Sequence, residues 1–233
     1  MKITLCILTR NERPCVEIVM PQVPSPGPDA GYDEIVLLDG GSTDGTVEYF
    51  AERGIRVLSQ DPSKRGRGHA FQIAFAQVEA DAYIFFSPDG NEDPADLPKF
   101  RTHLEQGADL VIASRMMKGA RNEEDGQVLK LRKWANNAFN VGANLAFRRN
   151  GSYVTDSING YRAITRRAAQ LLQLDAPDYT IEYQMTMRAF KHRLRIDEFP
   201  TLEHPRVAGD TQAQSIPTGV RFIKAFGHEI RTR

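Results

Sequence analysis

Short apolar runs alternate with polar turns along the first half of the chain, and this pattern predicts a series of buried β-strands. The runs are rich in β-branched and aromatic side chains, which favour strands, and they are too short for helices. The predicted strands cover residues 2–8, 34–38, 55–59, 82–86, 109–115 and 195–199, and a loop at 156–161 enters another near 162–164. Their alternation with helical segments predicts an α/β fold, with an open, mostly parallel, Rossmann-like sheet flanked by helices.

Apolar residues recur at helical spacing between most of the strands. Helices are predicted at about 44–53, 69–79, 95–106, 129–148, 166–174 and 181–191, and Thr43 or Asp44 is expected to cap the first. The Pro-rich stretch 21–28 is interpreted as an irregular loop where an ordinary fold would place a helix. The polar, Gly-bearing segment 118–127 is predicted to be a mobile loop. The tail, 206–233, begins polar and is predicted to end in a short amphipathic helix.

Polar side chains stand at the carboxyl ends of four of the predicted strands, at residues 9–12, 39–44, 89–93 and 114–115. The carboxyl ends of parallel strands meet at one edge of a sheet, and ligands of open α/β folds bind beyond that edge. We therefore expect these four segments to build a single binding site.

The segment after the fourth strand carries the most informative chemistry. The apolar run 83–86 changes abruptly into Asp89, Asn91 and Asp93 at alternate positions. Carboxylate and amide oxygens are hard ligands, suited to Mg²⁺ or Mn²⁺ holding a substrate phosphate. A polar turn with no ligand is the alternative interpretation of this segment alone.

Charge and cysteine content narrow the functional classes. The chain of 233 residues has 30 basic and 30 acidic residues, so no net field draws it to nucleic acid. Its two cysteines are too few for a disulfide framework, and Cys6 and the single tryptophan, Trp134, are expected in the core. The N-terminal apolar run is too short for a signal peptide, and no run approaches the ~18 apolar residues of a membrane span. A cytoplasmic protein is expected, with any membrane contact peripheral at the inner face of the membrane.

Seven segments of the chain resemble motifs of the inverting family 2 glycosyltransferases. They are Thr9-Arg10-Asn11-Glu12, Leu38 to Thr46 with its Gly-rich turn, Ser63 to Ala70, Asp89-Gly90-Asn91, Ala113-Ser114-Arg115, Asp156 to Arg162 and Ile181-Glu182-Tyr183-Gln184. Their order and spacing cover nearly the whole chain and are most similar to the soluble polyprenyl-phosphate (dolichyl-phosphate) mannose synthases. The resemblance implies a single domain, residues 1–233, with the glycosyltransferase A fold.

The chain departs from the family pattern at four positions. Arg10 stands where Tyr is more usual, and Gly40 replaces the second Asp of the turn motif. Asn91 replaces the second Asp of the Asp-x-Asp metal motif, and Thr186 stands where an acidic residue often follows the Phe-Glu-Phe-Gln-like segment. An amide oxygen can ligate a metal but brings no charge, so Asn91 is expected to lower metal affinity unless Asp93 compensates.

The resemblance implies transfer of a sugar from a nucleoside-diphosphate sugar, with inversion at the anomeric carbon. It implies Mg²⁺ or Mn²⁺ at Asp89, Asn91 and Asp93, where the ion would neutralise the leaving diphosphate. Residues 1–116 are expected to bind the donor, 117–205 the acceptor. The implied donor-binding residues are Thr9, Asn11, Glu12, Asp39, Gly41, Gly66, Gly68, Asp89, Gly90, Arg115 and Arg132.

The acceptor is expected to be a polyprenyl phosphate, with a soluble or secondary-metabolite hydroxyl acceptor as the alternative. A phosphate is already ionised near neutral pH, whereas a hydroxyl needs a carboxylate base. Asp156 and Glu182 are the candidate bases, and Arg115 is expected to pair with phosphate oxygens. A lipid acceptor predicts a basic, apolar, membrane-facing surface on 118–133 and the tail helix.

Two other functional classes are alternatives to a transferase. A nucleotidyltransferase should carry a Gly-rich signature directly after the first strand, and residues 9–14 contain no glycine. A catalytically inactive nucleotide-binding module is the remaining alternative, because Asn91 lacks the charge of the residue it replaces.

Overall fold

A computed structural model describes residues 1–126, 131–209 and 215–232. The strands of this part form one seven-stranded sheet in the order β3-β2-β1-β4-β6-β5-β7. They are β1 Ile3–Thr9, β2 Glu34–Asp39, β3 Arg56–Ser59, β4 Ala82–Phe86, β5 Leu110–Ser114, β6 Arg162–Thr165 and β7 Ile196–Pro200. All pairings are parallel except those of β6, which runs antiparallel to both β4 and β5. The predicted α/β fold with a mostly parallel sheet is confirmed.

Helices cover both faces of the sheet and bury two apolar clusters. The helices are α1 Arg13–Val19, α2 Thr46–Ala51, α3 Arg67–Gln77, α4 Leu97–Glu105, α5 Leu131–Phe147, α6 Arg166–Leu172, α7 Ile181–Lys191 and α8 Ser215–Arg231. Alternate side chains of β1 enter opposite clusters, Cys6 on the face of α3 and α5 to α8, Leu5 on the face of α1, α2 and α4. Because both of its faces are covered, β1 is buried along its whole length and is mostly apolar.

Helix α1 corrects the sequence interpretation of the first crossover. A helix occupies Arg13–Val19, and the Pro-rich stretch that follows it contains 3-10 turns at Met20–Gln22 and Pro28–Ala30. Pro14 lies in the first turn of α1, where its missing amide proton leaves no internal hydrogen bond unmade. The seven-residue helix is too short for a clear periodic signal, which explains why sequence reasoning missed it.

The C-terminal helix also differs from its prediction. It is not short, since α8 runs from Ser215 to Arg231 and packs on α5 and α7. Phe222 is buried, and the carboxylate of Glu229 is 1% exposed and receives hydrogen bonds from Arg188 and Lys191. The helix therefore completes the core instead of forming a detached tail. The expectation that Trp134 packs in the core is wrong, since it is 55% exposed on α5.

The reversed direction of β6 positions a loop at the functional edge of the sheet. Arg162, the first residue of β6, pairs with Phe85 of β4 and Ile112 of β5 near their carboxyl ends. The loop 156–161, which precedes β6, therefore lies beside the segments that follow β4 and β5. The neighbouring segment 118–127 was predicted to be mobile. The described part of this segment, which ends at residue 126, contains a 3-10 turn at Glu123–Gly126. Residue 127 lies outside the described residues. Residues 129–130, the start of the predicted helix 129–148, also lie outside them.

Candidate active site

Two cavities open at the carboxyl edge of the sheet, one of about 740 Å³ and one of about 380 Å³. The larger lies toward α5 and α8, and the smaller lies over the ends of β1 and β2. Arg67, Ser87, Asp89 and Tyr179 line both. The two cavities therefore meet at the start of the acidic turn after β4.

The smaller cavity contains part of the predicted donor site. Thr9, Glu12 and Gly66 line it directly. Asp39 is 1% exposed, and its carboxylate accepts hydrogen bonds from the amides of Gly41 and Ser42 at 2.8 and 3.0 Å. In this structure Asp39 therefore stabilises the Gly-rich turn beneath the cavity.

Asn11 and Asp44 connect the segments after β1 and β2. Asn11 adopts a φ of +54° and accepts a hydrogen bond from the amide of Thr43 at 2.8 Å. Asp44 accepts from the amides of Arg13 and Thr46 at 2.9 and 3.1 Å. Asp44 thus joins the starts of α1 and α2, although the N-cap residue of α2 itself is Gly45.

Glycines allow the start of α3 to approach its neighbours. A side chain on Gly68 would collide with the main-chain oxygen of Ala176. The amide of Gly66 donates to Oε1 of Gln60 at 2.8 Å, which fixes the turn before the helix. Arg67, the first helical residue, is thereby directed to the junction of the two cavities.

The three predicted metal ligands are in different surroundings. Asp89 lines both cavities, and burial raises the pKa of its carboxyl. Asn91 lines the larger cavity and donates from Nδ2 to the main-chain oxygen of His204 at 2.6 Å. Asp93 accepts from the amide of Ala95 at 2.9 Å, capping the next turn, and is not among the described residues that line either cavity.

The chemistry of these donors fits a divalent ion only in part. Among residues 1–126, 131–209 and 215–232, the structure holds no cluster of three or more His, Cys, Asp or Glu side chains suited to a metal. Of the predicted ligands, Asp89 lies where the two cavities meet and Asn91 lines the larger cavity only. A protein site this sparse suits an ion that also takes ligands from substrate phosphates.

Arg115 and Asp156 are bound to each other. Arg115 donates to both carboxylate oxygens of Asp156, at 2.8 and 3.0 Å, and to Glu203 at 3.0 Å. Burial acts to lower the pKa of Arg115, but the two carboxylates outweigh it and raise that pKa. Asp156 is fully buried behind Arg115. The carboxylate of Asp156 therefore holds the guanidinium in the wall of the larger cavity.

Glu182 differs from Asp156 because it faces the larger cavity. Its Oε1 pairs with Nε of Arg67, while Oε2 is buried and has no hydrogen-bond partner in the described structure. Arg67 also donates to the hydroxyl of Ser87 at 3.1 Å. Of the two candidate bases, Glu182 is thus the one that lines the larger cavity and has an oxygen without a hydrogen-bond partner in the described structure.

Sequence reasoning missed several residues of the site. Glu92 lines the larger cavity, and burial raises the pKa of its carboxyl to about 8. Arg206 lines the smaller cavity and reaches Asp89, across 117 residues of sequence. Glu92 lies within the acidic turn and could have been found there, whereas nothing local marks Arg206. Arg132, a predicted donor-binding residue, lines the larger cavity and not the smaller one, and it pairs there with Glu123 at 2.6 Å.

Glu198 on β7 anchors the loop that carries Asp156. Its carboxylate accepts hydrogen bonds from the amide and hydroxyl of Thr155 at 2.8 and 3.0 Å, and from the amide of Asp156 at 3.0 Å. Burial raises the pKa of Glu198 to about 7, against the effect of these hydrogen bonds. The carboxyl is therefore protonated in the folded protein at pH values where the unfolded chain has it ionised.

We expect Glu198 to make the folded protein less stable as pH rises. Its folded pKa lies above the ordinary value of 4.5, so its contribution to the free energy of unfolding falls between about pH 4.5 and 7. The fall is at most about 3 kcal/mol. Urea unfolding at about pH 5 and about pH 8 should show a smaller decrease for Glu198→Gln than for the wild type. Equal decreases would mean that Glu198 does not titrate in this window.

The architecture is that of glycosyltransferases already solved. Glucosyl-3-phosphoglycerate synthase from Mycobacterium tuberculosis, in complex with Mn²⁺, uridine diphosphate and glucosyl-3-phosphoglycerate, matches 98% of this chain and 80% of its own with a TM-score of 0.71. The same enzyme with Mn²⁺ and uridine-diphosphate-glucose matches with a TM-score of 0.72. Sequence identity is 22% and 23%, so these likenesses establish the fold.

The family follows from sequence. The model of glycosyl transferase family 2 matches residues 4–169, and this chain belongs to that family. It is 30% identical to glycosyltransferase AglJ of Haloferax volcanii, over 95% of this chain and 71% of that protein. It is 26% identical to the undecaprenyl-phosphate mannosyltransferase of Micrococcus luteus, over 91% of this chain and 87% of that protein. Helices long and apolar enough to cross a membrane are absent from the described part of the chain.

Proposed function

We propose that this glycosyltransferase moves a sugar, with inversion and with a divalent metal, from a nucleoside-diphosphate sugar to a polyprenyl phosphate. The observation that carries the proposal is that two cavities of unequal size meet at Asp89. The donor occupies the smaller cavity, over the Gly-rich turn and the start of α3. The acceptor occupies the larger one. The anomeric carbon of the donor lies where the two cavities join, so that the acceptor can reach it from the larger cavity.

Asp89, at that junction, and Asn91, in the larger cavity beside it, would hold Mg²⁺ or Mn²⁺ through their oxygens. The ion supplies positive charge to the departing diphosphate. The protein positions the donor through Thr9, Glu12 and the turn that Asp39 stabilises. This role for the metal is supported by the Mn²⁺ in the solved relatives of this fold.

The larger cavity suits an acceptor with an anionic head and an apolar tail. Arg132 and Asn136 line it together with the aromatic rings of Phe139 and Phe222. Cationic and amide donors bind phosphate oxygens, and the rings offer apolar surface to a lipid chain. The names of relatives that act on undecaprenyl and dolichyl phosphates support the same class.

Exposed apolar side chains on the two helices that line this cavity support a lipid acceptor. They are Trp134, Val141 and Leu145 on α5 and Val220 and Ile223 on α8. Large apolar patches beside a binding cavity mark contact with other molecules or with membrane. We place the enzyme at the inner face of the membrane, in peripheral contact through these helices. The division into a donor half, 1–116, and an acceptor half, 117–205, stays a prediction.

Glu182 distinguishes the lipid acceptor from a hydroxyl acceptor. Its unpaired oxygen in the cavity wall is the observation that favours a hydroxyl acceptor, because a hydroxyl needs a base. A phosphate acceptor needs none, and Glu182 then orients Arg67. Asp156 positions Arg115 in either case.

The experiment has two stages. Calorimetry with UDP- and GDP-sugars, with and without Mn²⁺, should find one nucleotide that binds in a metal-dependent way. Transfer of that labelled sugar is then measured to a polyprenyl phosphate in detergent and to soluble alcohols. A lipid-linked product supports the proposal, and a soluble product supports the alternative. If no nucleotide binds, the inactive-module alternative takes its place.

Glu182→Gln tests the acceptor independently of product analysis. With a phosphate acceptor we expect transfer to fall less than about 10-fold, since no proton must be removed. With a hydroxyl acceptor the fall should be about 10²–10⁴-fold, because the base is lost. Nucleotide affinity is measured on the same variant, so that a disturbed donor site is not mistaken for a lost base.

A further inference from the structure

A short segment of the chain covers the predicted metal-binding turn. This strap, residues 204–209, runs alongside the turn and exchanges main-chain hydrogen bonds with it. The amide of Val207 donates to the oxygen of Asp89 at 3.0 Å, and the amide of His204 donates to the oxygen of Asn91 at 3.1 Å. Gly90, at a φ of +96°, permits the close approach, since a Cβ there would lie 2.6 Å from Cγ1 of Val207.

The guanidinium of Arg206, a residue of the strap, lines the smaller cavity. Its Nη1 lies 3.0 Å from Oδ2 of Asp89, and its Nη2 lies 2.6 Å from Oε1 of Glu12. Its Nε donates to the oxygen of Ala208 at 2.7 Å. One guanidinium therefore pairs with two of the carboxylates that line the smaller cavity.

We propose that Arg206 is an internal cation that occupies the metal and diphosphate position and must leave before the donor binds. The proposal rests on the function proposed above, because it takes Asp89 as the metal-binding carboxylate. A metal ion and a guanidinium cannot both use the same lone pairs of Oδ2. The strap thus holds the enzyme in a closed state in which Arg206 keeps Oδ2 of Asp89 from binding a metal ion. Donor and metal together replace Arg206 and release the strap.

The closed state lowers the apparent affinity for the donor. An enzyme whose binding-competent state is rarely populated binds its ligand more weakly by that fraction. If the strap is closed in about 90% of molecules, the metal–nucleotide complex binds about tenfold more weakly than to an open enzyme. The opposite role for Arg206 is a brace that stays in place and binds the diphosphate itself. The two roles predict changes of opposite sign when Arg206 is removed.

Binding of Mn²⁺ in the presence of UDP or GDP, followed by electron paramagnetic resonance, distinguishes the two. For Arg206→Met we expect binding about tenfold tighter than in the wild type. Arg206→Lys keeps the charge but cannot reach Glu12 and Asp89 together, so its affinity should fall between the two. Arg13→Met is the matched control, because Arg13 carries the same charge on α1 beside Glu12 but pairs with Glu17 at 2.7 Å. It should change the affinity less than about twofold, because this partly exposed guanidinium pairs with Glu17 and the oxygen of Gly45 and, in the described structure, with neither Glu12 nor Asp89, and salt screens its charge.

Cys15 reports the position of the strap without any measurement of activity. Its Sγ lies 3.4 Å from the main-chain oxygen of Ala208, and the side chain is buried. Cys6, in the centre of β1, is fully buried and serves as an internal reference. Thiol labelling of Cys15 should be about tenfold faster in Arg206→Met. It should also be faster in the wild type when Mn²⁺ and the nucleotide are added.

The outcomes separate this inference from the proposed function. Tighter Mn²⁺–nucleotide binding and faster labelling in Arg206→Met support the internal cation. Weaker binding in that variant overturns it in favour of a brace, and equal binding with unchanged labelling overturns it while the donor function stands. If no protein binds a nucleotide, both fall, and faster labelling would then show only that Arg206 fastens the strap.

Discussion

Asp89→Asn is expected to lower sugar transfer about 10³-fold and to remove metal-dependent nucleotide binding. Asp89 lies at the junction of the two cavities and carries the negative charge of the proposed metal site. Its neighbour Asn91 is already neutral, so the substitution leaves no formal charge among the two ligands that face the larger cavity. Loss of several kcal/mol of charge stabilisation at the leaving diphosphate corresponds to roughly 10³ in rate. Initial rates and Mn²⁺ binding are measured on the same preparation.

Asp93→Asn is the matched control for Asp89. Asp93 caps the next turn by accepting a hydrogen bond from the amide of Ala95 at 2.9 Å, and an asparagine side chain can accept the same bond. We expect its activity to stay within about threefold of the wild type, because the cap is preserved. A loss as large as that of Asp89→Asn would identify Asp93 as a metal ligand. Unchanged Mn²⁺ binding in Asp89→Asn would contradict the metal site proposed here.

Arg162→Met is expected to lower the free energy of unfolding by roughly 3–5 kcal/mol, the cost of removing a buried, fully hydrogen-bonded charge. Arg162 is fully buried at the start of β6. It donates to the main-chain oxygens of Asn159, Glu182 and Ser157 at 2.6, 2.7 and 3.2 Å. Burial lowers its pKa to about 10, so it stays charged at neutral pH. Methionine fills much of the volume but donates no hydrogen bond to any of these three oxygens.

Arg167→Met is the comparison for Arg162→Met. Arg167 lies on the surface of α6 and pairs with Asp109, with 70% of its side chain exposed. Its loss should cost less than about 1 kcal/mol, because exposed ion pairs contribute little. Urea unfolding of the two variants gives the difference. A similar small cost for both would show that the loop 157–159 and helix α7 do not depend on Arg162.

Arg162 also connects stability with the candidate site. Through the loop 157–159 and the backbone of Glu182 it joins the two elements that border the larger cavity. Thr186 takes part in the same network, since its hydroxyl donates to the oxygen of Ser157 at 2.9 Å. The departure at Thr186 therefore has a structural explanation here. The hydroxyl of Thr186 donates a hydrogen bond to the main-chain oxygen of Ser157. An ionised carboxylate in its place could not donate, and two buried acceptors would face each other.

The strands and the order of the motifs were predictable from the amino-acid sequence. Apolar runs such as 82–86 are long enough to identify a buried strand, and the polar segments after them mark the edge where ligands bind. The family resemblance was carried by local motifs, and the match over residues 4–169 confirms it. Helix α1 was not predicted, because its seven residues, with a proline in the first turn, show little helical periodicity.

The connections between distant parts of the chain depend on folding. Asp156 was a candidate base by its loop position, but its pairing with Arg115 could not be read from the sequence. Arg206 lies 194 residues from Glu12, and their contact exists because the strap returns to the first crossover. Local patterns of apolar and polar residues determine strands, helices and turns. The partner of a buried charge depends on how segments far apart in sequence pack against each other. No local sequence pattern predicts such a pairing.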